Sequence, residues 1–297
     1  MSKPILITAP VGNNPARCRM LIYHKGLEET IDMKSPADYG GLASPEYRKL
    51  NPQGKMPALI LPSGETLYEA KVVLQYLNDK YGAVGPPIGA DTPEARARAA
   101  LITQVHDLYI ASPNSSDPKV TANQGAMYKP VEVIDAQSRS SKLAELNKQL
   151  DVLEGLIVGP FAAGEALTEA DFTLWPTLGV FFPVMLPLVF GWKDPMDDAL
   201  RPKVRPCALP TAPSVCPSRL RWARIADRTA TDRSLSDRTQ LRAWYQAMKA
   251  LPAAERVRAE VAEALDGWEK SGRFVPIIEQ MKANPELQWV YGPAPAQ

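Results

Sequence analysis

The stretch from Asn51 to Gly82, NPQGKMPALILPSGETLYEAKVVLQYLNDKYG, restricts what this chain can fold into more than any other segment. It reads as a loop holding two prolines, a short strand, a tight turn at Pro62-Ser63-Gly64-Glu65, a second short strand, and an amphipathic helix that runs to Tyr81. Pro57 has no N–H to give to a strand ladder, so the sheet edge beside it stays open. The Met56–Pro57 peptide is a candidate for the cis form. An open backbone edge can be paired by an extended peptide. Glu69 opens the helix, where free backbone N–H groups point at any carboxylate arriving there.

The segments around this stretch extend the pattern. Lys3–Thr8 is an apolar strand candidate. Asn14 can cap a helix that begins at Pro15 and stops at Gly26, and Leu27–Met33 is a candidate second strand. Strand–helix–strand followed by strand–strand–helix is the order of a thioredoxin-like α/β domain. The Gly- and Pro-rich run after Gly82 reads as a linker, and everything beyond it reads as helical. Leu143, Leu146, Leu150, Leu153 and Ile157 recur at intervals of three and four, a single apolar stripe. Thr168-Glu169-Ala170-Asp171 has the form of a capping box, with Leu167 and Phe172 placed as its hydrophobic staple. The expected division is therefore an α/β domain over 1–83, a linker over 84–91 and an all-α helical bundle over 92–290.

A chain of 297 residues is long enough for two such domains. Its net charge of +1 gives no global reason to expect nucleic acid or an anionic membrane as partner. The three cysteines, none in a CxxC arrangement, suggest neither a disulfide framework nor a zinc site, and a reducing, cytoplasmic setting is expected. Phe172 to Trp192 carries no charge and is long enough to span a bilayer. Pro176, Gly179, Pro183 and Pro187 interrupt it, and a helix start of the water-soluble type precedes it, so it is read as core. One segment does not fit. Residues 194–238 hold eight arginines, six prolines and two of the cysteines without any period, and read as a disordered loop or an insertion, with a basic arm for an acidic partner as the alternative.

The order Asn51-Pro52-Gln53-Gly54-Lys55-Met56-Pro57 followed by Glu69 at a helix start resembles the glutathione-binding half of the glutathione transferase family. The Thr168 capping box resembles the cap of the central helix in that family's second domain. Ala70 stands where the family usually has serine. The resemblance implies a homodimer that transfers glutathione to a small electrophile, with no metal or redox cofactor. It also implies a site. Glu69 would hold the ligand's ammonium, the N–H groups at Ala70 and Lys71 its neighbouring carboxylate, and the backbone of Met56 its cysteinyl unit. Gln53 and Lys55 would lie near the glycyl carboxylate.

The thiol needs help to ionise, because a free thiol titrates at about 8.5. A helix N-terminus plus one hydroxyl or amide donor can supply that help. Between Thr8 and Arg17 there is no tyrosine, serine or cysteine, so Asn13 and Asn14 are the catalytic candidates, with Thr8 a weaker one. Each asparagine could equally serve only as a turn residue or cap. Cys18 lies a full turn inside the helix and reads as a small core residue. His24 and His106 lie within helical patterns and read as structural. Tyr109 is the candidate for the second-substrate pocket, with 114–129 as its rim. A non-catalytic interaction module of the same fold is the rival reading, favoured by Ala70 and the missing hydroxyl. A thiol reductase would need a cysteine near Asn13.

Overall fold

The computed structural model describes residues 2–113, 119–191 and 240–287. The N-terminal part is a four-stranded sheet of order β2-β1-β3-β4, with β1 at Ile5–Ile7, β2 at Asp32–Lys34, β3 at Ala58–Ile60 and β4 at Thr66–Tyr68. β1 and β2 run parallel, joined by the crossover helix α1 (Asn13–Lys25). β3 is antiparallel to both β1 and β4. Strand residues alternate between faces. Leu6 and Leu59 pack into the main core with α1 and α3 (Ala70–Lys80), while Ile7 and Ala58 face Tyr47 of α2 (Pro45–Leu50). The sheet is thus covered on both sides.

Several expected boundaries move. The second strand is Asp32–Lys34 rather than Leu27–Met33, because Leu27 to Ile31 turns on its own backbone hydrogen bonds. β3 is an interior strand, not an edge, so the open backbone lies in the loop ahead of it. Helix α1 begins at Asn13, with Gly12 and not Asn14 as its cap. Helix α2 has no counterpart in the sequence reading. Six residues long and started by Ser44, whose hydroxyl accepts from the Tyr47 N–H at 3.0 Å, it is too short to show a period.

The second part is helical. Helix α4 (Pro93–Val105) continues as a wider turn over His106–Ile110. Helix α5 is Ala136–Leu156, and its stripe from Leu143 to Leu153 is fully buried. Residues Glu169–Phe190 form a continuous helical rod made of α6 (Glu169–Leu174), a π-turn (Trp175–Phe181) and α7 (Phe182–Phe190). The rod is long and apolar enough to cross a membrane, but 78% of its most apolar window is buried inside the fold. The box at its start forms as read. Asp171 accepts from the Thr168 N–H at 2.8 Å and its hydroxyl at 2.9 Å, and its other oxygen from the Ala162 N–H and the Trp244 indole. Gly179 lets Trp175 close on the rod, since a Cβ there would lie 2.2 Å from the indole ring. Helices α8 (Gln240–Lys249), α9 (Pro252–Lys270) and α10 (Val275–Lys282) complete the domain. The 194–238 segment lies outside the described residues.

The two parts meet along α1, and three buried cations on that helix make the joint. Arg17 donates to Asp107 at 2.7 Å and lies 3.0 Å from His106 Nδ1. Arg19 donates to Thr8 and to the Ala9 and Pro10 carbonyls, and pairs with Glu260 of α9 at 3.0 Å. Lys25 reaches the carbonyl of Gly82 at the end of the α/β domain and those of Val84 and Pro86 in the linker. Burial opposes ionisation of Asp107, but the His106 hydrogen bond and the charge and hydrogen bonds of Arg17 outweigh it and hold its pKa well below the usual carboxylate range.

Asp107 therefore stabilises the folded chain above its ordinary value of 3.8, and that contribution is lost as pH falls below it. Asp107→Asn, which strands the 2%-exposed Arg17 side chain, should cost roughly 2–3 kcal/mol at pH 7. The gap between wild type and variant in urea denaturation should narrow towards pH 2. A constant gap would contradict the role given to this pair.

Candidate active site

A cleft of about 290 Å³ opens where the N-terminus of α1 meets the helical domain. The α/β side contributes Val11 to Pro15, Leu42, Lys55 and Met56. The helical side contributes Val120 to Thr121, Gln124 to Gly125, Tyr128, Phe181 and Trp268, among others. Gly12 is needed at the bend into α1, because a Cβ there would lie 2.5 Å from the Pro15 ring. Pro15 brings no N–H, and the N–H groups of Asn13 and Asn14 make no backbone hydrogen bond among the described residues. They are the free donors of a helix N-terminus at the cleft.

The two asparagines differ. Asn13 is buried, and its amide donates to Gln124 Oε1 and Thr177 Oγ1, both at 3.1 Å. Both amide hydrogens are thus committed to the helical domain, so Asn13 has none for a thiolate and joins the two domains instead. Thr177 in turn meets His106 Nε2 at 2.9 Å. Burial and then the charge of Arg17 hold His106 below 6.5, so the ring is neutral at pH 7. Asn14 is half-buried and lines the cleft, and its amide has no hydrogen-bond partner among the described residues.

The other candidates fall as follows. Thr8 is engaged as the acceptor of Arg19. Cys18 is fully buried, its thiol pushed up to about 12 by burial, and it lies 3.8 Å from the Ala70 carbonyl. It is a core residue. The Lys55 carbonyl accepts from the Tyr47 hydroxyl and the Asn51 amide, both at 2.7 Å. That clamp steadies the loop ahead of the cis Met56–Pro57 bond. Met56 makes no backbone hydrogen bond among the described residues and lines the cleft, while Pro57 is buried behind it.

Gln53 is exposed, its N–H held by Asn51 Oδ1 at 3.0 Å, and it does not line the cleft. Glu69 is exposed at the start of α3, near enough to Lys55 to act on its charge, as is Lys129. Burial lowers the Lys55 pKa, with Glu69 opposing and Lys129 adding to the shift. Ala70 is buried beneath, at the first position of α3.

Tyr109 is the clear correction. It is 49% exposed and does not line the cleft. The helix widens at His106–Ile110, a departure from the 3.6-residue period that turns Tyr109 outward. The aromatic wall comes instead from Tyr128, Phe181 and Trp268, with rings 6.0 and 5.9 Å from Tyr128. Tyr128 falls inside the expected rim, whereas Phe181 and Trp268 look like core residues in sequence. Nothing local distinguishes them.

A small mixed sheet covered by helices on both faces and an all-helical second domain, with a cleft where a helix N-terminus of the first meets the second, define a two-domain thioredoxin-like and helical architecture. Residues 13–80 match the family model described as glutathione S-transferase, N-terminal domain, and residues 131–206 that described as glutathione S-transferase, C-terminal domain. The chain belongs to the glutathione S-transferase family. A maleylacetoacetate isomerase of Pseudomonas aeruginosa is 34% identical over 102 residues, which cover 32% of this chain and only 47%, about half, of that isomerase. Glutathione S-transferase F10 of Arabidopsis thaliana is 26% identical over 176 residues, 58% of this chain and 78% of the relative. A solved maleylacetoacetate isomerase of Methylobacterium extorquens, with bound malonate and glutathione, has a TM-score of 0.55 at 18% identity, covering 86% of this chain and 97% of its own. Glutathione transferase F2 of Populus trichocarpa reaches 0.58 at 16% identity, over 88% and 99%. At these identities the structures speak for the fold.

Glu69 has φ 71° and ψ 121°, outside the regions a side-chain-bearing residue favours. Glu69→Gly should therefore raise stability, by about 1 kcal/mol after the extra chain entropy of glycine is subtracted. An unchanged or lower urea midpoint would show that the strain is not there.

Proposed function

We propose that this protein binds glutathione in the cleft and uses its thiolate to attack a small electrophile, with glutathione as a substrate and no bound cofactor. The observation that carries the reading is that the Asn14 amide, the first N–H groups of α1 and the Met56 backbone, none with a partner among the described residues, meet at one cleft. The α1 N-terminus supplies positive potential and Asn14 a hydrogen-bond donor. Neither takes the thiol proton, which leaves to water or to a carboxylate of glutathione itself. Glu69 meets the ligand's ammonium, the first N–H groups of α3 at Ala70 and Lys71 its neighbouring carboxylate, and Lys55 with Lys129 the glycyl carboxylate. Gln53 serves only at the rim. The setting we propose is the cytoplasm.

A thiolate that adds reversibly to a conjugated double bond would isomerise it instead of forming a stable conjugate. The similarity to a maleylacetoacetate isomerase favours keeping that second reading.

For the homodimer we propose contact through Leu101 on α4 and Leu108 and Tyr109 on its continuation, which are 49–58% exposed. A second copy covering these side chains would remove their apolar surface from water. Leu108→Glu should then sediment as a monomer where wild type sediments as a dimer. Equal masses for the two would remove this contact.

The thiolate assignment is read by absorbance titration of bound glutathione. Its pKa should lie below that of free glutathione in wild type. Asn14→Ala should raise it by about one unit, the equivalent of roughly 1.5 kcal/mol for a hydrogen bond to a charged group. Glu69→Ala should abolish detectable binding in calorimetry while the fold persists. Wild type that binds no glutathione would favour the non-catalytic module of the same fold. A midpoint unmoved by Asn14→Ala would leave the helix terminus as the sole activator.

A further inference from the structure

A second cavity, of about 260 Å³, lies between α3, the linker, α4 and the start of α6. Small residues leave the room for it. Gly89 and Ala90 before α4 and Ala99 and Ala100 on α4 line it, and none has a side chain long enough to fill it. The frame is held, since the Gly89 N–H donates to the Leu167 carbonyl at 2.9 Å and the Asn78 amide to the Ile88 carbonyl at 3.4 Å. Arg96, exposed and lining the cavity, donates to the Ala90 and Asp91 carbonyls. Four polar groups are left over. The hydroxyl of Thr103, a residue only 3% exposed, has no partner among the described residues and is not one of the sealed, unsatisfied atoms, so it opens to the cavity it lines. The Asn78 side-chain carbonyl oxygen is unpartnered in the same sense. Lys71 and Glu169 are half-buried and within electrostatic reach of each other, yet neither side chain has a hydrogen bond or ion pair among the described residues.

We infer that this cavity binds a free α-amino acid with a short aliphatic side chain, such as leucine. A carboxylate alone would pair with Lys71 and leave Glu169 half-buried without a cation, and an amine alone would do the reverse. A zwitterion satisfies both. Its ammonium donates to Glu169, to the Asn78 carbonyl oxygen and to the Thr103 hydroxyl, three acceptors for three hydrogens. Its carboxylate accepts from Lys71, and the guanidinium N–H groups that Arg96 does not spend on the two carbonyls line the same space. The side chain covers Ala90, Ala99 and Ala100 and removes apolar surface from water. A cavity of about 150 Å³ is enough for benzene, so this one has room for the charged end and a branched chain of that size. Burial holds the Glu169 pKa above the usual carboxylate value, with Lys71 opposing and Asp79 adding to the shift. Such a carboxylate gains from an arriving cation. The inference stands apart from the transferase reading, because the cavity and the cleft share no lining residue. Lys71 alone enters both, through its backbone N–H there and its side chain here.

The experiment is calorimetric titration of the full chain with L-leucine, with 4-methylpentanoate, which lacks the ammonium, and with 3-methylbutylamine, which lacks the carboxylate. L-Leucine should bind with a Kd below about 1 mM. Each truncated compound should bind at least about tenfold more weakly, the scale of losing one charge-assisted contact. Thr103→Val, which keeps the shape of the side chain, and Glu169→Gln should each weaken leucine binding about tenfold, with thermal unfolding showing that both variants remain folded. Absence of leucine binding would overturn the inference. So would truncated compounds that bind as tightly as leucine, or leucine binding unchanged in both variants. Binding lost in Glu69→Ala but kept in Glu169→Gln would place the amino acid in the cleft and overturn it as well.

Discussion

The joint between α1 and the helical domain is what everything else rests on. A helix that faces a sheet on one side and a helical domain on the other has no solvent side for its charges. Arg17, Arg19 and Lys25 are nevertheless buried on it. An unpaired buried cation would cost several kcal/mol, so each must find its partner, and the partners lie in parts of the chain remote in sequence: Asp107, Glu260 and the linker carbonyls. Satisfying the three charges therefore fixes the second domain and the linker against the first. Tyr23 extends the joint, donating to Glu260 at 2.7 Å with Arg256 stacked on its ring. The cleft is a consequence of this docking, because one of its walls belongs to each domain.

The same docking assigns roles to the residues at the α1 terminus. Asn13 and Asn14 are neighbours of identical type, and local chemistry gives no ground to prefer one. Contact with Gln124 and Thr177 commits the first to the interface and leaves the second to the cleft. On the sheet side, the Lys55 carbonyl is held by Tyr47 and Asn51, while the Met56 backbone has no hydrogen bond among the described residues. The strained backbone of Glu69 adjoins this open segment electrostatically through Lys55. Rigid support beside unsatisfied groups is the arrangement expected of a binding site, where strain and open donors persist because the surrounding fold holds them.

The sequence by itself determined the elements whose signal is local. The cis-capable Met56–Pro57 loop, the turn at 62–65, the leucine stripe of α5 and the Thr168 capping box each depend on residues within a few positions of one another, and short-range backbone physics decides them. The core status of the proline-interrupted rod and of Cys18 was legible for the same reason, since neighbouring apolar residues announce burial. Only the tertiary structure decided which asparagine is spent on the interface, that Tyr109 faces outward, and that Tyr128, Phe181 and Trp268 share one wall. The asparagine and the wall depend on partners about 50 to 160 residues away along the chain, and Tyr109 on the widened turn at His106–Ile110. Side-chain periodicity reports that a residue is on a buried face, but it carries no information about what lies across that face.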